Sequence, residues 1–254
     1  SMKRLACSLL LFGLVLAGCG KKGPLISPEL LAPAAPTIAV SQFDRLIRIR
    51  VPLPQRDLSG RSLQDLAGIE LYRKTSPLGA TSECIACEAD YMLVRTLHTA
   101  LQEQPAELYG GVALFEDRDV RAGREYSYYA VSFNQSSVKG PRSVVAKTAV
   151  FEAALPPVLT ATAEPTEIRL KIQPDVGQHG RVSGYNLYRT FKGEKFSPFP
   201  FKNIPVSKES FADSGLVRDR DYQYAVTAIV KGVSGHLQES AFSKVITIRL
   251  SDGQ

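Results

Sequence analysis

A repeat constrains this chain more than any other feature of its sequence. The run Gly68-Ile69-Glu70-Leu71-Tyr72-Arg73 returns as Gly184-Tyr185-Asn186-Leu187-Tyr188-Arg189. Phe115-Glu116-Asp117 with Tyr126-Ser127-Tyr128 then returns, in the same order, as Phe211-Ala212-Asp213 with Tyr222-Gln223-Tyr224. Two copies of one structural unit therefore fill most of the 254 residues. The first copy holds about 20 extra residues between Thr75 and Val112, a length that suits an elaborated loop.

Each copy reads as short strands bounded by Pro, Gly, Asp and Ser. In Ile47-Arg48-Ile49-Arg50-Val51 and in Ile168-Arg169-Leu170-Lys171-Ile172 the apolar residues take every second position. That period buries one face and wets the other. Sustained helical periodicity is absent, apart from a turn or two in the stretch from Thr99 to Leu108. Short strands at this spacing predict an all-β fold of two tandem antiparallel β-sandwiches.

The Gly-Tyr-Asn-Leu-Tyr-Arg run resembles strand C of bacterial fibronectin type III domains. Phe211-Ala212-Asp213-Ser214-Gly215 resembles strand E and its turn, and Glu239-Ser240-Ala241-Phe242-Ser243 the approach to strand G. Tyr126 and Tyr222 match the family's tyrosine corner, in which the hydroxyl returns to nearby backbone. The resemblance covers nearly all of residues 34–251, and the second copy is the closer match. One departure is the missing strand B tryptophan: the chain has no Trp, and Val51 and Ile172 stand near that place. The resemblance implies immunoglobulin-like sandwiches at 34–152, with the inserted loop, and at 153–254. The short linker Ala154-Leu155-Pro156-Pro157 predicts an elongated rod with limited bending.

The amino terminus carries a different signal. Lys3 and Arg4 precede an apolar stretch from Leu5 to Val15, and Leu16-Ala17-Gly18 leads into Cys19. Such a stretch is too short for a comfortable membrane span, and its basic start and small-residue cleavage site have the order of an export signal. It resembles a bacterial lipoprotein signal peptide with its lipobox. The resemblance implies removal of residues 1–18 and acylation of Cys19 by diacylglycerol and palmitate-like chains. Each buried methylene contributes about 0.8 kcal/mol of membrane affinity. Gly20 rather than Asp follows Cys19, which by the sorting of such lipoproteins implies the outer membrane, with the protein facing the periplasm. Residues 19–33 then form a proline-rich tether, extended at about 3.1 Å per residue. Cys19-Gly20-Lys21-Lys22-Gly23-Pro24-Leu25 also resembles the start of the LptM family, outer-membrane lipoproteins that associate with the lipopolysaccharide translocon of LptD and LptE. That resemblance implies a translocon partner; any lipoprotein tether can equally be basic and proline-rich.

Several function classes find little support. The net charge of +6 is spread through the strands without a basic block, which argues against nucleic acid as a partner. Of four cysteines, Cys7 leaves with the signal and Cys19 carries lipid, so Cys84 and Cys87 remain, both in the inserted loop. In an oxidising compartment they form a disulfide. Haem attachment would need His where Glu88 stands, and zinc would need two further ligands with His98 the only nearby histidine. A redox pair would open a helix beside a βαβ unit. His98, His179 and His236 stand alone, and no nucleophile elbow, zinc-protease helix or phosphate loop is present. Glu116 with Asp117, and Asp219 with Asp221, fall at strand ends and turns and read as structural. The chain thus reads as a non-catalytic protein without metal or cofactor beyond the lipid on Cys19.

If Ile69, Leu71 and the tyrosine corner face inward, Tyr72, Tyr129, Val131 and Phe133 point outward from adjacent strands. The second copy places Tyr188, Ala225, Thr227 and Ile229 there. The first set is a candidate partner surface, unless the inserted loop folds back over it. The function that follows is protein binding or scaffolding by a lipid-anchored module, its partner another envelope protein. The alternatives are a translocon accessory and a glycan-binding or enzyme-associated module. For glycan, the available loop aromatics are Phe196, Phe199 and Phe201.

Overall fold

The computed structural model describes Ser27 and residues 31–80, 87–100 and 108–251. The first copy comprises β1 (Ala39–Phe43), β2 (Leu46–Pro52), β3 (Leu66–Pro77), β4 (Met92–His98), β5 (Leu108–Tyr109), β6 (Val112–Asp117), β7 (Arg124–Asn134) and β8 (Ala146–Val150). The second comprises β9 (Val158–Ala163), β10 (Glu167–Gln173), β11 (Arg181–Phe191), β12 (Lys202–Pro205), β13 (Ser210–Ser214), β14 (Tyr222–Lys231), β15 (Leu237–Glu239) and β16 (Ile246–Ile248). In the first copy β4-β3-β7-β8 face β1-β2-β6-β5; in the second β12-β11-β14, flanked by β15 and β16, face β13-β10-β9. These are two immunoglobulin-like sandwiches, with the repeated Leu-Tyr-Arg on the third main strand of each.

Alternation builds both cores. Ile47, Ile49, Val51, Leu71, Phe115 and Tyr128 fill the first, and Ile168, Leu170, Ile172, Leu187, Tyr224 and Val226 the second. Val51 and Ile172 are fully buried, so aliphatic packing occupies the region where the resembled family keeps its tryptophan. The repeated glycine has a steric origin. Register between β3 and β7 slips at Gly68, and between β11 and β14 at Gly184. A Cβ on Gly68 would lie 2.2 Å from the Leu97 carbonyl oxygen, a separation no side chain tolerates.

Both tyrosine corners are made. The Tyr126 hydroxyl accepts from the Arg121 N–H and the Tyr222 hydroxyl from the Val217 N–H, each at 2.8 Å and each five residues upstream. A second repeated device links the facing sheets. Arg73 on β3 donates to both Asp117 carboxylate oxygens on β6, and Tyr128 donates its hydroxyl to the same carboxylate. Arg189, Asp213 and Tyr224 repeat the arrangement. Burial, and then the neighbouring carboxylate, pushes the Tyr128 and Tyr224 hydroxyls far above their ordinary range. They therefore remain protonated donors, and Asp117 is more than an acidic hairpin end.

The tether assigned to 19–33 ends earlier than its proline spacing suggests. Ala32 is buried, its carbonyl accepts from the Leu58 N–H, and Ala34 donates to the Arg56 carbonyl. Residues 31–33 thus lie on the first sandwich. At the other junction the sandwiches are joined by more than a linker. β1 pairs in parallel with β15, through Gln42 opposite Gln238 and Phe43 opposite Glu239, so one sheet of each sandwich merges into a nine-stranded sheet.

Candidate interaction surfaces

The four predicted surface residues do share one face, because Tyr72 sits opposite Tyr129 in the β3–β7 pairing and Val131 and Phe133 follow at alternate positions. They do not form a free apolar surface. Tyr72 stacks on Tyr129 at 4.8 Å, and Tyr91 closes over Tyr129 at the same distance. Tyr129 and Val131 are consequently 6% and 8% exposed. His98 meets Phe133 edge-on at 5.6 Å. The cover comes from the inserted segment: a single 3-10 turn, Glu88–Asp90, delivers Tyr91, and its acids are held by Arg142 and Lys74. Arg142 also lies over the Tyr129 ring. The outward face was legible from strand alternation, but its cover arrives from an irregular segment with no periodicity to read.

Of the other predicted positions, Cys19 lies outside the described residues, and so does Cys84, hence also the Cys84–Cys87 pairing. Cys87 is exposed and immediately precedes the 3-10 turn. The stretch from Thr99 to Leu108, read as a turn or two of helix, is described only at Thr99, Ala100 and Leu108. Ala100 continues a turn with Thr99, and Leu108 opens β5.

The matching face of the second sandwich is also covered. Tyr188, Ala225 and Thr227 are buried. Glu239 Oε1 accepts from Asn186 Nδ2, the Tyr188 hydroxyl and Thr227 Oγ1. Burial, then the Glu239 carboxylate, raises the Tyr188 hydroxyl well above its ordinary value. Phe242 packs edge-on against Tyr188 at 4.8 Å, Phe196 against Phe242 at 5.6 Å, and Phe43 of β1 reaches Phe242 across the junction at 5.7 Å.

Further contacts fix the junction. The Asp44 N–H donates to the Glu239 carbonyl, and Ala154 of the linker donates to Gln238 Oε1. The Gln42 amide pairs both ways with the Phe151 backbone. Phe151 in turn stacks on His236 with ring centres 3.4 Å apart. Burial holds the His236 imidazole below its ordinary pKa. The aromatics that would have suited glycan are engaged within the protein: Phe196 as above, Phe199 against Tyr109 and Arg50, and Phe201 beneath Arg189.

One exposed apolar feature went unread in the sequence. Among the described residues β4 pairs only with β3, and Met92 and Leu93 on it are 66% and 50% exposed. The corresponding edge strand of the second sandwich, β12, is shorter and ends in Pro205. Among the described residues no three His, Cys, Asp or Glu side chains converge as metal ligands do.

No family model matches the chain, and no curated protein does. Among solved structures, the chain is similar to the FN1–FN3 domains of chicken CNTN1. The identity is 14% over 87% of this chain and 68% of that one, with a TM-score of 0.33. A likeness of that size leaves the fold assignment to the strand pairing and the two corners described above.

Proposed function

We propose that the protein is a non-catalytic binding or scaffolding module, held by lipid on Cys19 at the periplasmic face of the outer membrane, whose partner is another envelope protein. The observation that carries the binding role is the β4 edge. Among the described residues β4 is paired on one side, and an edge carrying exposed Met92 and Leu93 suits addition of a partner strand. The run ending in Leu16-Ala17-Gly18-Cys19 supports the lipid anchor. A Cys84–Cys87 disulfide would stiffen the segment that delivers Tyr91. A translocon partner is the finer reading, and it rests on the likeness of Cys19–Leu25 to the LptM start.

The test is crosslinked capture from envelopes of the full chain, with membrane fractionation alongside. Cys19→Ala is expected to release the protein from the membrane fraction, while the double variant Met92→Glu, Leu93→Glu keeps its anchor and its melting transition but loses the captured partner. A double variant that captures the same partner at full strength would overturn the edge reading. Tight membrane association of a processed Cys19→Ala chain would overturn the anchor.

A further inference from the structure

Where β2 and β6 of the first sandwich meet the β11–β12 connection of the second, a cleft of about 550 Å³ opens. That is within the range of roughly 300–1,000 Å³ typical of small-molecule sites. One wall is apolar, formed by Phe196, Pro198 and Phe242 of the second sandwich with Tyr109 of the first. The other wall is charged, with Arg48, Arg95, Arg118, Glu116 and Asp117.

Arg48 is the residue that points to a ligand. Its side chain is only 6% exposed. Its guanidinium lies flat on the Phe43 ring, 3.4 Å from the centroid, and Nε donates to Glu116 Oε1 at 3.2 Å. Nη1 is buried with no hydrogen-bond partner. A buried charged donor left unpaired is costly, and an acceptor that reaches it through the cleft Arg48 lines would relieve that cost. Charge balance favours an anion: three guanidiniums line the cleft against two carboxylates, and Glu116 is shared between Arg48 and Arg118. It also favours a single negative charge, because a dianion would meet Glu116 and Asp117, both of which line the cleft.

We propose that the cleft binds a small amphipathic carboxylate, its anionic oxygen on Arg48 Nη1 and its apolar body against Phe196, Pro198 and Phe242. The site exists only because the sandwiches are joined, since each supplies one wall. The cleft takes Val94 and Arg95 of β4 into its lining but not Met92 or Leu93, so it would stand if those two residues bound nothing.

Fluorescence titration of the full chain with dansylglycine, an aromatic body bearing one carboxylate, tests the assignment, with uncharged dansylamide as the comparison. Dansylglycine is expected to bind saturably and about tenfold or more tighter than dansylamide, the factor of one charge-assisted hydrogen bond. Glu116→Gln keeps an acceptor for Arg48 Nε while removing the competing charge, and should tighten dansylglycine by about threefold or more without changing dansylamide. Arg48→Met should abolish the preference between the probes. Should that variant fail to fold, Glu116→Gln carries the test alone. Equal affinity of the native chain for both probes, no saturable binding of either, or an unmoved dansylglycine affinity in folded Glu116→Gln would each overturn the proposal.

Discussion

β2 and β10 are the same strand of the same repeat, written almost identically as Ile-Arg-Ile-Arg-Val and Ile-Arg-Leu-Lys-Ile, yet their polar faces meet opposite fates. On β10, Arg169 and Lys171 are exposed, as alternation predicts. On β2, Arg48 is buried and Arg50 half-buried, because the second sandwich packs over that face. An alternating pattern reports which side chains are apolar. It does not report whether the wet side will later be covered by a neighbour. The sandwich whose polar face is covered keeps a cation there and supports it with a ring, a carboxylate and the wall of a cleft.

The largest effect should come from what the two copies share. Asp213→Ala strands Arg189 and Tyr224, and Asp117→Ala strands Tyr128 and leaves Arg73 to Asp119. Each is expected to destabilise its sandwich by about 3 kcal/mol, the cost of breaking a largely buried pair by removing one partner. Chemical denaturation checks this, and costs that differ between the copies by more than about 1.5 kcal/mol would break their equivalence.

An intermediate effect should come from what they do not share. Arg48→Ala removes the contact with Phe43 and leaves Glu116 to Arg118, so a loss of about 2 kcal/mol is expected. Lys171→Ala, two residues from the matching position on β10, should stay within about 0.5 kcal/mol of the native chain. Equal costs would mean that burial of the β2 face contributes nothing.

The smallest effect concerns the junction itself. His236 is held neutral by burial, below its ordinary pKa of about 6.5. Because the folded value is depressed, the stabilising contribution is complete above the unfolded value. It is lost as pH falls through about 6.5 toward the folded value. Melting should therefore soften from about pH 7.5 to about pH 5 in the native chain, and less in His236→Phe, which keeps a ring against Phe151 but cannot be protonated. Identical pH profiles would remove His236 from the account.

Much of the fold was readable because the repeat states it twice. The strand alternation, the glycines at the bulges and the corner tyrosines all act within one copy, where sequence order fixes who meets whom. The Arg–Asp–Tyr link was also present in the repeated runs, as three residue types returning together, although the acids alone read as hairpin ends. What could not be read depends on contacts between separated segments. Tyr91 reaches Tyr129 from an irregular loop, Phe151 finds His236 across the junction, and Arg48 differs from Arg169 only through what lies above it. Met92 and Leu93 stayed hidden for the opposite reason: their strand is reached through the inserted residues, and its counterpart β12 reads Lys202-Asn203-Ile204-Pro205, with no such apolar pair to compare.

The parallel pairing of β1 with β15 has a consequence for any separated half. Each strand gives up an edge that would otherwise offer its N–H and C=O groups to another molecule, so the junction acts as a mutual guard against edge-to-edge aggregation. Cut between the sandwiches, the chain would present both edges at once. The first half would carry an unmatched β1 and the second an unmatched β15, complementary to each other and available to any neighbour's copy, which is the starting condition for strand exchange between molecules.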